Sequence, residues 1–102
     1  MSVINITSQN FNEIINTDKP VLLDFYADWC GPCQMISPIV KEISEENTEI
    51  TVGKINVDNE PLLAQKFGVM SIPMLVVIKN KEITNQAVGY RSKDEILTLI
   101  KQ

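Results

Sequence analysis

The stretch "VLLDFYADWCGPCQMISPIV", residues 21–40, holds the only two cysteines of the chain, Cys30 and Cys33, separated by a Gly-Pro pair. Its first seven residues, Val21 to Ala27, form a short apolar run broken only by Asp24. Such a run is too short for a typical helix and reads as a strand buried on both faces. Past the cysteines, Ile36, Ile39, Val40 and Ile43 recur at helical spacing, so a helix begins near Pro32. Proline suits a first helical turn, where its missing N–H would have had no partner. A dithiol turn therefore joins a buried strand to a helix.

The same alternation extends in both directions. "VINI" at 3–6 reads as a short edge strand. Asn10 with Glu13 has the spacing of a capping box, ahead of Phe11, Ile14 and Ile15 on one helical face. "TVGKINV" at 51–57 is β-branched and strand-like. Asp58 or Asn59 is expected to cap a helix with Pro61 in its first turn and Leu63 and Phe67 one turn apart. "MLVVIK" and "EITNQAV" flank Asn80–Lys81, the pattern of a hairpin. Ser92 with Glu95 is a second capping box, leading into Ile96, Leu97 and Ile100. The order is β-α-β-α-β-α-β-β-α. It predicts an α/β fold with a mixed central β-sheet and helices on both faces. Right-handed crossovers join its parallel neighbours, and an antiparallel hairpin closes it.

A chain of 102 residues fits a single domain over 1–102, with no linker or repeat to divide it. Apolar residues make up 44% and charged residues 22%, the balance of a globular protein with a real core. The net charge of −4 argues against nucleic acid or an anionic membrane as partner, since both require a cationic footprint. The start, "MSVINITSQNFNEI", has neither the basic residues nor the apolar stretch of a secretory signal, and "MLVVI" is far too short to span a bilayer. A cytoplasmic location is expected, and there a close cysteine pair points to metal binding or catalysis more than to a structural crosslink.

Four uses of two close thiols compete. A zinc site needs three or four protein ligands, and the chain has two Cys and no His. A metal shared between two chains stays open. Haem attachment needs His after the second cysteine, where Gln34 stands. A structural crosslink over so short a loop stabilises by only ~2 kcal/mol, against ~3 kcal/mol for a loop of about fifteen residues. The redox use draws on every neighbour. Cys30 falls just before the helix, where unpaired N–H groups and the positive end of the dipole favour a thiolate. Cys33 lies one turn further in and is expected to be the more buried. Exposed Cys30 would then attack a disulfide, and Cys33 would resolve the mixed disulfide. Asp24, inside an apolar strand, is either a solvated edge residue or a buried carboxyl whose pKa is raised by desolvation.

"WCGPC" within this stretch, together with "KINVD", "FGVMSIP" and the late Gly89, resembles the thioredoxin family over nearly the whole chain and in the family's order. The resemblance implies a thioredoxin fold and a protein-disulfide reductase that binds no cofactor beyond its redox-active Cys30–Cys33 pair. It implies that Asp24 relays protons for Cys33, with Lys54 approaching that carboxyl. It implies a cis peptide bond before Pro73, facing the cysteines. The Ile72 backbone would then pair with an extended substrate segment. Trp29, Gly31, Pro32, Ile72, Val88 and Gly89 would form an apolar patch around this point. Expected partners are an NADPH-dependent flavoprotein, thioredoxin reductase, and disulfide-containing client proteins, with the chain acting as a monomer. Pro38, inside the helix, costs a backbone hydrogen bond and is expected to kink it.

Some positions depart from the family pattern. Gln34 replaces a cation after the second cysteine, Met74 follows the proline where Thr is common, Lys81 stands where the hairpin often has Gly, and Tyr26 replaces a frequent Trp. Strong stabilisation of the thiolate makes an oxidant. With no His between the cysteines and no charge on Gln34, only the helix end lowers the Cys30 pKa, which fits a reductant. The alternative is a specialised relative acting on one client, or a non-catalytic binding module gripping a partner through the Trp29–Pro73 patch.

Overall fold

The computed structural model describes residues 3–102. Nine elements follow in order: β1 (Ile4–Asn5), α1 (Phe11–Ile15), β2 (Val21–Tyr26), α2 (Gly31–Glu46), β3 (Thr51–Asn56), α3 (Pro61–Lys66), β4 (Met74–Lys79), β5 (Glu82–Val88) and α4 (Lys93–Lys101). The strands form one sheet in the order β1-β3-β2-β4-β5. β1, β3 and β2 are parallel, while β4 runs antiparallel to β2 and β5 antiparallel to β4. This is the mixed α/β sheet that the alternation of elements predicts.

β2 lies at the centre, which explains its unbroken apolar run. Because side chains alternate across a strand, each face of the sheet receives half of it. Val21, Leu23 and Phe25 join Phe11 and Leu63 in the core under α1 and α3. Leu22 joins Ile36, Val40 and Ile43 of α2 and Ile96 and Ile100 of α4 in the core of the other face. Burying each of these large side chains stabilises the fold by roughly 1.5–3 kcal/mol. Asp24 has the parity of Leu22 and so turns toward α2.

Local chemistry sets the ends of the elements, in two places differently from expectation. Asn10 precedes α1 but its side chain does not cap the helix. Its Oδ1 accepts from the Thr7 N–H at 2.8 Å and its Nδ2 donates to the Asn5 carbonyl at 3.1 Å, tying up the preceding loop instead. Neither Asp58 nor Asn59 caps α3, which begins after Glu60. The Asn56 side chain intercepts both by accepting their N–H groups at 2.9 and 3.3 Å. The expected box at α4 forms in full: the Ser92 N–H donates to Glu95 Oε1 at 2.8 Å, and the Glu95 N–H to Ser92 Oγ at 3.2 Å. In the β4–β5 hairpin both Asn80 (φ 54°) and Lys81 (φ 70°) are left-handed. That is the two-residue turn whose twist matches the strands it joins. Pro38 sits within α2, which runs through it to Glu46.

Candidate active site

Cys30 is the N-cap of α2, with an extended backbone (φ −90°, ψ 112°), and its Sγ accepts a hydrogen bond from the Cys33 N–H at 3.2 Å. The two cysteines are joined by a disulfide, their Cα atoms 5.2 Å apart. Helix geometry produces this arrangement. The N-cap side chain meets the N–H three residues on, a donor the helix leaves unpaired. The sulfur of Cys30 therefore occupies the place of a capping oxygen.

The expectation of an exposed Cys30 above a buried Cys33 is corrected here. Cys30 is 4% exposed and Cys33 3%. Both sit in an apolar nest with Ala27, against Tyr26, Val57 and Ile72, and Cys30 Sγ lies 3.8 Å from the Ile72 carbonyl oxygen. The loop before β4 thus covers the first cysteine, and accessibility does not separate the two sulfurs. Their other neighbours do. Cys30 receives the helix N–H, whereas Cys33 lines a cavity of about 280 Å³ that also reaches Asp24, Gln34, Ser37 and Lys54.

Asp24 is a buried carboxyl on a central strand, so the edge-strand alternative falls away. Its Oδ1 has no hydrogen-bond partner among the described residues. Burial pushes its pKa up to about 7, against the pull of the Lys54 charge. Lys54 stands opposite Asp24 in the β2–β3 register. It forms no direct ion pair with that carboxylate, and its Nζ lies 5.8 Å from the centroid of the Tyr26 ring.

Trp29 is 72% exposed, and its indole N–H donates to Asp58 Oδ2 at 2.8 Å. The Ile72–Pro73 bond is cis. Pro73 is buried, with half-buried Ile72 before it. The Pro73 carbonyl accepts from the Gly89 N–H at 2.8 Å, and Gly89 has φ 93°, a conformation open to glycine at little cost. Val88 pairs with Met74 in the β4–β5 register. Gly31 and Pro32 are exposed at the start of α2.

Sequence reasoning missed several neighbours. Asp58 reads in the sequence as a helix cap, not as the partner of the Trp29 indole. Met70, 94% exposed, joins Trp29, Val57, Val69 and Ile72 around an apolar groove of about 390 Å³. The Gln34 side chain donates to the Asp28 carbonyl at 2.8 Å. Only "FGVMSIP" carries a local hint of the groove; the Asp58 contact spans 29 positions in sequence and leaves no periodic trace. Among the described residues, no group of three or more His, Cys, Asp or Glu could hold a metal ion.

A disulfide at the start of a helix, just past the central strand of a mixed sheet and beside a buried carboxyl, defines a thiol–disulfide oxidoreductase. The family model for thioredoxin matches residues 2–102. Thioredoxin of Alicyclobacillus acidocaldarius is 42% identical over 96 residues, covering 93% of this chain and 91% of the relative. Thioredoxin of Porphyra purpurea is 47% identical over 91 residues, covering 87% and 85%. The solved structure of a point mutant of thioredoxin from Halobacterium salinarum superposes with a TM-score of 0.92 at 36% identity, covering 98% of this chain and 88% of that one. The chain belongs to the thioredoxin family, and its activity is the reduction of protein disulfides through a redox-active Cys30–Cys33 pair.

Proposed function

We propose that Cys30 is the attacking nucleophile, Cys33 the resolving thiol and Asp24 the group that takes the Cys33 proton, with Lys54 in support. The Cys30 thiolate attacks one sulfur of a client disulfide, forming a mixed disulfide and expelling the first client thiolate. Cys33 then loses its proton to Asp24 through water and attacks Cys30 Sγ. The Cys30–Cys33 bond forms, the bond to the client breaks, and the second client sulfur leaves as a thiolate. The observation that carries this reading is the Cys33 N–H held 3.2 Å from Cys30 Sγ at the helix start. That donor can hold a thiolate at Cys30 in the reduced state, whereas Cys33 opens on the cavity of Asp24.

An extended client segment would pair with the Ile72 backbone and lie over Trp29, Gly31, Pro32, Pro73, Val88 and Gly89. Residues 1–102 would act as one monomeric domain in the cytoplasm, re-reduced by an NADPH-dependent flavoprotein thioredoxin reductase. Among the described residues no helix is long and apolar enough to cross a membrane.

Trapping tests the roles. Cys33→Ser is expected to accumulate a mixed disulfide with a protein client through Cys30, and Cys30→Ser to accumulate none. A stable adduct on Cys33 in the Cys30→Ser variant would overturn the order. If the double Cys→Ser variant still performs the cellular function, a binding module is the better description.

A further inference from the structure

Asp24 is approached by two cavities. The first, about 280 Å³, is walled in part by Cys33 and Gln34. The second, about 240 Å³, lies between α2 and β3 and is walled by Val3, Val40 and Lys41. Among the described residues, three line both: Asp24, Ser37 and Lys54. Ser37 stands four residues after Cys33 on α2, hence on the same helical face, and it is exposed.

The three shared groups differ in what they can do with a proton. An ionised carboxylate only accepts hydrogen bonds and an ammonium only donates them, while a hydroxyl does both at once. Gln34 lines the first cavity alone, and its amide N–H is engaged by the Asp28 carbonyl at 2.8 Å. Tyr26 also lines the first cavity alone. Among the described residues, Ser37 is thus the one hydroxyl that lines both spaces. Each space is large enough for several waters and offers them the polar partners they need. Asp24 lines both spaces, and its buried Oδ1 has no hydrogen-bond partner among the described residues.

We propose that Ser37 is a positioning residue for proton transfer at Asp24: its hydroxyl orders the water that joins the carboxyl to Cys33 on one side and to solvent on the other. The inference rests on Asp24 being the acceptor of the Cys33 proton. In the resolving step the Cys33 S–H bond breaks, a proton passes through that water to Asp24, and the new thiolate displaces the client sulfur from Cys30. The proton then leaves Asp24 for solvent through the second cavity. Among the described residues, the charged and titratable groups facing this carboxyl are Lys54 from β3, Lys41 and Cys33 from α2, and Tyr26 and Asp28 from β2 and its following loop. On β4, uncharged Leu75 stands opposite Asp24, and α4 lines neither cavity.

The test is single-turnover release of the second client thiol from about pH 5 to about pH 9, for the parent and for Ser37→Ala, Ser37→Thr and Asp24→Asn. Ser37→Ala is expected to slow release about fivefold, the worth of one ordinary hydrogen bond. It is also expected to enlarge the solvent deuterium isotope effect and to leave the alkylation rate of reduced Cys30 unchanged. Ser37→Thr, which keeps the hydroxyl, is expected to restore release. If Asp24→Asn keeps the parent profile, the assignment of Asp24 and the inference from it fall together. If Asp24→Asn changes the profile while Ser37→Ala follows the parent, the role of Ser37 alone is refuted. It is refuted too if Ser37→Ala slows Cys30 alkylation by the same factor.

Discussion

Replacing Asp24 by Asn is expected to stabilise the oxidised protein, by an amount that grows with pH. Asp24 is buried on the central strand, and burial raises its pKa from 3.8 to about 7 in the folded state. In the unfolded chain the carboxyl titrates near its ordinary value. Between those two values the folded state binds a proton that the unfolded state has released. Stability is therefore fully present below about pH 4 and is lost as pH rises through about 7. A shift of about three units corresponds to roughly 4 kcal/mol, at about 1.4 kcal/mol per unit. The amide of Asn is neutral at every pH and loses nothing in this window. Urea unfolding of parent and variant, both oxidised, isolates the effect because every other titrating group is common to the two. Near pH 4 the two midpoints are expected to lie close together. Near pH 8 the variant is expected to be the more stable by a few kcal/mol. A difference independent of pH, or a parent that gains on the variant as pH rises, would refute the reasoning.

Two further substitutions test the packing and the turn. A Cβ on Gly53 would lie 2.8 Å from Cγ1 of the fully buried Ile6. Gly53→Ala is thus expected to cost about 1–3 kcal/mol in urea unfolding, and an unchanged midpoint would show that Ile6 can shift away. Lys81 holds φ 70° at the second turn position, where an L side chain is unfavourable. Lys81→Gly is expected to raise stability by up to about 1 kcal/mol, measured by thermal unfolding, with activity unchanged.

Much of this architecture is legible in the sequence because it rests on local pattern. The apolar run of β2, the helical spacing of Ile36, Val40 and Ile43, and the Ser92–Glu95 box each specify one element within a short window. α1 does start just after Asn10, but the side-chain caps expected at Asn10 and at Asp58 or Asn59 do not form, for a physical reason. A polar side chain near a helix end has several backbone groups in reach, and Asn10 and Asn56 took loop donors that no spacing rule ranks. The burial of Cys30 was hidden differently. Its cover, Ile72, comes from 42 positions away and depends on how the sheet is ordered. For Asp24 the pattern posed the right question, and strand order answered it, since only β2's place between β3 and β4 excludes an edge residue.

Since Cys30 and Cys33 are almost equally enclosed, the division of labour proposed for them rests on polarity, not on access. The N-cap position gives one sulfur a backbone donor and the end of a helix dipole. A dipole at a helix end is worth about 0.3–1 kcal/mol at exposed sites and up to ~2 kcal/mol when partly buried. For a two-electron couple, 1 kcal/mol is about 20 mV. Favouring the thiolate by so little tilts the couple only slightly toward the reduced form. The intervening Gly31 and Pro32 carry no charge, and the neutral side chain of Gln34 is turned to the Asp28 carbonyl. The helix end thus gives the dithiol only a weak hold on its electrons, and a pair that gives them up readily is what the reduction of client disulfides requires. In the proposed mechanism the speed of the resolving step then depends on the buried carboxyl behind Cys33. For that reason the pH dependence of Asp24, and not the exposure of Cys30, is the property of this fold on which the proposed mechanism turns.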